Sequence, residues 1–216
     1  MSLEELSAEQ AADLRDAKET REVVEHRELW RGRIIGLEED LVRLSPSGDP
    51  VLRQYTEHPG AVAVVAMRGG DGREEVLLER QYRHPVGALL WEIPAGLLDI
   101  DGEAPHLAAA RELEEEADLL AGRWDVLVDF FTSPGGTDES LRIFLARELS
   151  PAPAPFARED EEADLVLAWV GLDDAVSFVL EGRIHNPSAV AGILAAHAAR
   201  ARKWEGLRPV EAHWLR

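Results

Sequence analysis

Short apolar runs separated by glycine- and proline-rich turns recur along the chain, and this pattern predicts β-strands. The clearest run, residues 61–67, is rich in valine and typical of a buried strand. A glycine-rich turn at 69–72 separates it from a second expected strand at 76–81. Apolar and charged residues roughly alternate at 28–44, which predicts one or two strands at the start of the folded body. Further strands are expected at 89–93, 126–131, 141–147 and 165–170.

Other segments show the spacing and end signals of helices. One helix begins near Pro105 and runs to about residue 120, since a proline in the first turn of a helix costs no hydrogen bond. Another is expected around 173–180, and a third has Asn186 as its N-cap and Pro187 in its first position. Strands with helices interposed predict an α+β fold or an α/β/α sandwich.

The composition limits the partners and the chemistry. The chain has 216 residues, of which 45% are hydrophobic, enough to bury a core in one domain. Its net charge of -19 repels nucleic-acid phosphates, so we expect no nucleic-acid partner. A small anionic substrate would then need arginines or a divalent cation nearby. The chain has no cysteine, which excludes disulfides, a thiolate nucleophile and a cysteine zinc site.

The first residues give no targeting signal. Residues 1–28 are charged and dotted with alanine, and they lack the basic start and apolar run of a signal peptide. No apolar stretch elsewhere approaches the roughly 18 residues of a transmembrane helix. We therefore expect a cytoplasmic protein with no membrane partner.

The helix expected after Pro105 carries glutamates beside its apolar face. On a helical projection, Glu112, Glu115 and Glu116 span an arc of roughly 100°. Such a group suits Mg²⁺ or Mn²⁺, hard cations that prefer oxygen ligands, although most acidic helix faces are simply solvated. Arg111, four residues before Glu115, can pair with it. The expected apolar face comprises Ala109, Ala110, Leu113, Ala117 and Leu120.

This helix and the residues before it resemble the Nudix box: a glycine, a spacer ending in glutamate, seven residues, then Arg-Glu-aliphatic-any-Glu-Glu-any-Gly-aliphatic. Two features differ from the box. The spacer from Gly96 to Glu103 is one residue longer, and Asp118 stands where the box has glycine. We expect both to be accommodated, because the spacer precedes the helix and aspartate tolerates a left-handed backbone. The matching positions are Gly96, Glu103, Arg111, Glu112, Leu113, Glu115, Glu116 and Leu119.

Three more segments are similar to the ADP-ribose pyrophosphatase branch of that family, above all to its actinobacterial members. They are Gln-Tyr-Arg at 81–83, Trp-Glu-Ile-Pro-Ala-Gly at 91–96 and Ser-Pro-Gly-Gly-Thr-Asp-Glu at 133–139. Pro134 follows Leu119 by fifteen residues, a spacing associated with ADP-ribose in that branch.

The resemblance implies an architecture. It implies the Nudix α/β/α sandwich with mixed β-sheets, and a homodimer in which N-terminal strands exchange between subunits. The chain would then comprise a charged extension, dimerisation strands, the hydrolase domain and a C-terminal tail, at residues 1–28, 29–56, 57–205 and 206–216.

The resemblance also implies hydrolysis of ADP-ribose to AMP and ribose 5-phosphate, dependent on Mg²⁺ or Mn²⁺. Glu112, Glu116 and the Ala95 carbonyl would bind the metal directly, and Glu115 directly or through another ligand. Arg111 would orient the helix rather than contact the substrate.

The catalytic base is expected in the acidic loop 158–164, because relatives carry a catalytic glutamate in such a loop. Glu162 is the best match, Glu161 is a close second and Glu115 is the next alternative. Without the resemblance, a solvated loop with no role would be the better interpretation.

Arg83 is the expected contact to the diphosphate, since a planar guanidinium can bind phosphate through two hydrogen bonds; it can also be an ordinary exposed arginine. Glu139, in the same loop as Ser133, is expected to bind the terminal ribose hydroxyls or the metal, and Ser133 is a further substrate-binding candidate. Trp30 can stack on adenine from the partner subunit, or simply pack.

Two other functions stay open. The substrate can be another nucleotide sugar, such as GDP-mannose or ADP-glucose. Alternatively, the domain can be a non-catalytic sensor of ADP-ribose. Such sensors usually lose box glutamates or carry an appended helix-turn-helix domain, and neither feature is found in this sequence.

Overall fold

A computed structural model of the chain describes residues 5–154, 156 and 165–216. None of the helices in these ranges is both long and apolar enough to cross a membrane. The elements, in chain order, are α1 (Ala8–Ala12), β1 (Glu22–Arg31), β2 (Gly36–Arg43), β3 (Val51–Glu57), β4 (Ala61–Arg68), β5 (Glu75–Arg83), a 3₁₀ turn (His84–Val86), β6 (Ala88–Glu92), β7 (Ala95–Leu97), α2 (Pro105–Ala117), β8 (Leu119–Phe131), β9 (Ser140–Pro151), β10 (Val166–Gly171), α3 (Leu172–Leu180) and α4 (Pro187–Ala201).

The strands form a large mixed sheet and a smaller antiparallel one. The large sheet has the order β10-β5-β4-β9-β8, with β6 beside β5 and β7 beside β4. Its β4 and β9 pair in parallel, and its other pairs are antiparallel. The small sheet has the order β1-β2-β3. The predicted α+β class with mixed sheets is confirmed.

Helices cover both faces of the large sheet, because its central strand β4 is apolar on both sides. On one face, Val65 and its neighbours pack with Ile193 of α4 and residues of α3. On the other face, Val62 and Val64 pack against Leu113 of α2. The two buried clusters make the expected α/β/α sandwich.

The glutamate-bearing helix α2 ends earlier than its apolar spacing predicted. It stops at Ala117 because Asp118 adopts a left-handed conformation, with φ 54° and ψ 37°, and its N–H caps the helix. Leu119 then begins β8. The expectation that Leu120 belongs to the apolar helix face is therefore wrong, and Leu120 is 38% exposed. Aspartate does accept the backbone geometry of the box glycine, as expected.

The small sheet begins before the expected boundary at residue 28. Its first strand starts at Glu22, and every residue of that strand is exposed, so no apolar alternation marks it. The expected segment 28–44 contains the end of β1 and all of β2, joined by a tight turn. Strand β3 and the three-residue β7 were not predicted, since neither segment shows a regular alternation of apolar and polar residues.

The C-terminal residues pack onto the large sheet. Buried Arg142 of β9 donates to the backbone carbonyls of Ala212 and His213. The same guanidinium makes two hydrogen bonds to Asp129 of β8. This part of the chain is thus fixed by contacts with the folded domain.

Candidate active site

Helix α2 lies over the short strand β7, and two of its glutamates meet adjacent residues of that strand. A Cβ placed on Gly96 would lie 2.0 Å from the carboxylate carbon of Glu112. The neighbouring Ala95 N–H donates to Glu116 Oε2 at 3.0 Å. A side chain at position 96 would therefore displace Glu112 from the place it occupies.

The Ala95 carbonyl faces the same side as these glutamates. In an extended strand the N–H and C=O of one residue point to the same edge. The N–H of Ala95 points to Glu116. The preceding Pro94 carbonyl accepts from Val64 of β4, and the N–H of Leu98 farther along donates to Gly60, both at the opposite edge. The structure thus brings Ala95, Glu112 and Glu116 together.

Arg111 joins the carboxylates on this side of α2. Its Nη1 lies 2.7 Å from Glu112 Oε1 and 3.1 Å from Glu115 Oε2. Its Nε and Nη2 contact both carboxylate oxygens of Glu103. The hydrogen bond to Glu103 is the largest cause of a raised pKa of Arg111, so the guanidinium stays charged. The pairing of Arg111 with Glu115 was predicted. The contact of Arg111 with Glu103 attaches the spacer before the helix to α2.

The donor set fits a hard divalent cation. Among the described residues, no three His, Asp or Glu side chains lie close enough together, in the conformations that they adopt, to hold a metal ion. Glu112 and Glu115 point to Arg111, and Glu116 points to Ala95 N–H. Carboxylate and carbonyl oxygens nonetheless suit Mg²⁺ or Mn²⁺. Negative charge is in excess here, because only two arginines, Arg83 and Arg111, interact with six glutamates. These glutamates are Glu79, Glu92, Glu103, Glu112, Glu115 and Glu116.

Arg83, at the end of β5, lies beside the same carboxylates. Its guanidinium makes two hydrogen bonds to Glu92 of β6, and these bonds are the largest cause of the raised pKa of Arg83. The charge of Glu116 also contributes to that shift. The side chain of Arg83 is 42% exposed. Its contact with a diphosphate stays a prediction, but its place beside Glu116 is consistent with it.

The loop between β8 and β9 is tied to the end of β3. Thr56 exchanges backbone hydrogen bonds with Gly136 and Asp138 of this loop. Glu139 accepts from Thr132 Oγ1 at 2.5 Å and lies 3.6 Å from His58 Nε2.

Ser133 contributes to this loop through its backbone. Its carbonyl accepts hydrogen bonds from the N–H groups of Gly136 and Thr137, which closes a turn. Ser133 is exposed. Its proposed contact with a substrate therefore stays a prediction.

A cavity of about 360 Å³ opens between this loop and β3. Burial is the largest cause of a pKa of about 12 for Tyr55 in its wall, and Asp40 adds to the shift. Trp30 lies on β1 with 56% of its surface exposed, and its ring covers Gly32. The cavity is lined by Arg53, Gln54, Tyr55, Phe131, Pro134, Gly135, Gly136, Thr137 and Asp138.

Sequence reasoning assigned no role to several residues around this site. Glu92 belonged to a recognised motif, but only the structure pairs it with Arg83. His58 and Tyr55 had no distinguishing signal in the sequence. Glu161 and Glu162 lie outside the described residues, so the expected base is not placed.

Comparison with known proteins gives consistent matches. A family model for the NUDIX domain matches residues 57–190. The ADP-ribose pyrophosphatase of Mycobacterium tuberculosis is 45% identical over 90% of this chain and 91% of that protein. The methanol dehydrogenase activator of Bacillus methanolicus and the ADP-ribose pyrophosphatase of Bacillus subtilis are each 36% identical, over 77% of this chain and 86% of theirs.

A solved structure has the same fold. The crystal structure of an ADP compounds hydrolase superposes with a TM-score of 0.68, covering 87% of this chain and 98% of that one. The sequence identity of the pair is 19%, so the likeness concerns the fold alone.

Proposed function

Since the chain belongs to the Nudix family, we propose that it hydrolyses ADP-ribose to AMP and ribose 5-phosphate. The observation that carries the proposal is the convergence of Glu112, Glu116 and Ala95 where α2 crosses β7. The substrate is proposed from the relatives in Mycobacterium tuberculosis and Bacillus subtilis, which are named for it.

Glu112, Glu116 and the Ala95 carbonyl would hold Mg²⁺ or Mn²⁺, with Glu115 as a direct or indirect ligand. The ion supplies charge neutralisation at the phosphate oxygens and activation of the attacking water. Arg111 orients the carboxylates by binding Glu112 and Glu115 through one nitrogen.

Substrate contacts are proposed for four further residues. Arg83 would bind the diphosphate, because its guanidinium lies beside Glu116 and is partly exposed. Glu139 would bind the terminal ribose hydroxyls or the metal, Ser133 would be a further substrate contact, and Trp30 would stack on adenine from the partner subunit.

The activity is tested by incubating the protein with ADP-ribose and Mg²⁺ and measuring AMP. We expect AMP release, its loss in EDTA and its recovery on adding Mg²⁺ or Mn²⁺. Turnover that persists in the chelator contradicts the metal requirement. Faster turnover of GDP-mannose or ADP-glucose would change the substrate. Binding of ADP-ribose without any AMP would favour a sensor.

We propose Glu162 as the general base, with Glu161 as the alternative and Glu115 next. Glu162→Gln should lower kcat by about 10²–10⁴-fold, the range for lost acid–base catalysis, while Mn²⁺ still binds. Glu116→Gln should weaken Mn²⁺ binding itself, because the amide loses the charge. If only Glu161→Gln is inactive, the base is Glu161; if both loop variants stay active, the base lies elsewhere.

We also propose a homodimer that uses the small sheet. Strand β1 is at the edge of that sheet and exposed along its length, and an open edge of this kind favours pairing with another chain. Light scattering should give twice the chain mass of 23.9 kDa, and a single-chain mass would contradict the dimer. Exchange of the strands and a cytoplasmic location stay predictions.

A further inference from the structure

Two carboxylates are buried on the face of the large sheet that carries the candidate site. Glu79 of β5 and Glu92 of β6 lie opposite each other in the strand pairing. Their exposed fractions are 1% and 2%. Because a buried carboxylate is costly unless it is paired and hydrogen-bonded, such residues need an explanation. The interactions proposed for metal and substrate give Glu92 no role.

Glu92 binds the guanidinium of Arg83 side-on. The Nε–Oε1 distance is 2.9 Å, and the Nη2–Oε2 distance is 2.7 Å. Both carboxylate oxygens of Glu92 are therefore engaged by one partner. This geometry makes Glu92 a poor candidate for a metal ligand, since each of its oxygens already accepts a charge-assisted hydrogen bond.

The two partners differ sharply in exposure. Glu92 is fixed in the interior at 2% exposed, whereas Arg83 is 42% exposed. A free arginine side chain samples many rotamers, and ordering it on a ligand has an entropic cost. Because Glu92 is buried and binds Arg83 through both carboxylate oxygens, the pair restricts the position of the guanidinium before any ligand arrives.

The side-on pair also decides which donors remain for a ligand. A guanidinium carries donors on Nε, Nη1 and Nη2, and Glu92 uses Nε and one donor of Nη2. One donor of Nη1 and the second donor of Nη2 form the end-on fork, which matches two oxygens of a phosphate. The charge of Glu116 contributes to the raised pKa of Arg83, so the guanidinium lies in the neighbourhood of the candidate metal ligands.

We infer that Glu92 is a positioning residue that holds Arg83 with its end-on fork presented to the diphosphate of the substrate. The inference rests on the proposed function, because it requires a diphosphate beside Glu116. It assigns Glu92 an effect on substrate binding that is exerted only through Arg83.

A double-mutant cycle tests this dependence. The variants are Arg83→Ala, Glu92→Gln and the double variant, assayed for kcat and KM with ADP-ribose and saturating Mg²⁺. Arg83→Ala should raise KM by about 10- to 100-fold, the effect of losing hydrogen bonds to a charged group. Glu92→Gln should raise KM by about 10-fold, since the amide cannot hold the fork in place. The double variant should match Arg83→Ala within about 2-fold.

Independent roles give a different result. If Glu92 acts without Arg83, the two effects multiply in the double variant, and the inference is overturned. Titration of Mn²⁺ followed by electron paramagnetic resonance gives a readout separate from turnover. Glu92→Gln should bind Mn²⁺ as the unchanged protein does. A loss as large as that of Glu116→Gln would make Glu92 a metal ligand and refute the positioning role.

The chain offers a matched control. Asp129 binds Arg142 with the same side-on geometry, at 2.8 Å from Nε and 2.9 Å from Nη2, between β8 and β9. Asp129→Asn should lower the melting temperature and leave KM unchanged in the folded protein. If Glu92→Gln behaves in the same way, the Arg83 pair is merely structural and the inference fails.

Failure of the proposed function is distinguishable from failure of the inference. If the unchanged protein releases no AMP from ADP-ribose, the proposed function fails. The same cycle is then measured on the binding of magnesium pyrophosphate by calorimetry. Non-additive losses there support the positioning of Arg83 by Glu92, and additive losses overturn it.

Discussion

Adding a single methyl group at Gly96 should separate metal binding from folding. The ideal Cβ of residue 96 lies 2.0 Å from the Cδ and Oε1 atoms of Glu112 and 2.4 Å from its Cγ. These distances are far inside van der Waals contact, so Glu112 must turn away in Gly96→Ala. The backbone of Gly96 is an ordinary β-strand, and alanine fits it without strain.

The opposing effects on stability nearly cancel. Alanine should stabilise a strand interior by roughly 0.5–1 kcal/mol over glycine. Displacement of Glu112 loses its contact with Arg111, an ion pair at 2.7 Å that contributes about 0.2–1 kcal/mol where partly exposed. The melting temperature should therefore change by no more than about 3 °C. Metal affinity should fall by at least about 10- to 100-fold, the usual effect of losing a group that merely orients a ligand.

The assay combines calorimetric melting with Mn²⁺ titration, and Gly192→Ala is the matched control. At Gly192 of α4 the new Cβ would lie 2.8 Å from Val65 and 3.1 Å from Ile93 in the core. Overpacking costs about 1–3 kcal/mol and the helix propensity of alanine offsets up to about 1 kcal/mol of it, so this variant should melt no higher than the unchanged protein yet bind Mn²⁺ normally. If Gly96→Ala binds Mn²⁺ as well as the unchanged protein, Glu112 is not a ligand in the position described.

The remaining predictions concern stability and protonation. In urea denaturation, Asp118→Val should be about 1–2 kcal/mol less stable than Asp118→Gly. Both variants lose the hydrogen bond from the Phe156 N–H, but only valine is strained in the left-handed region. Equal stabilities of the two variants would contradict this prediction. Arg142→Ala should lose about 3–5 kcal/mol, since it breaks a buried ion pair and releases the C-terminal residues, and a loss below about 1 kcal/mol would argue against it. The hydrogen bond to Asp40 raises the pKa of His26 in the folded protein above its ordinary value of 6.5. The interaction therefore stabilises the fold fully below pH 6.5, and this stabilisation is lost as the pH rises through the folded-state pKa. An NMR titration should show this pKa fall in Asp40→Asn, and an unchanged pKa would rule out the Asp40 bond as its cause.

The sequence by itself determined the features that depend on local periodicity. The spacing of Glu112, Glu115 and Glu116 places them on one side of a helix wherever that helix lies, because side-chain direction follows the helical period. The apolar run of β4 likewise predicted a buried strand, since a continuous run is typical of a strand covered on both faces. The N-cap at Asn186 is a bond between near neighbours and was predicted correctly.

The tertiary structure decided the contacts between residues distant in the chain. The approach of Glu112 to Gly96 and the pairing of Arg83 with Glu92 depend on how α2 crosses β7 and on the register of β5 with β6. A shift of register by one residue would turn every side chain of a strand to the other face, and no local pattern records that choice. The early end of α2 at Asp118 was also missed, because the apolar spacing continues through Leu119 and Leu120 into a strand. The spacing of the candidate ligands along α2 is therefore fixed by the local sequence, whereas the site that they form depends on how the helix packs on the sheet.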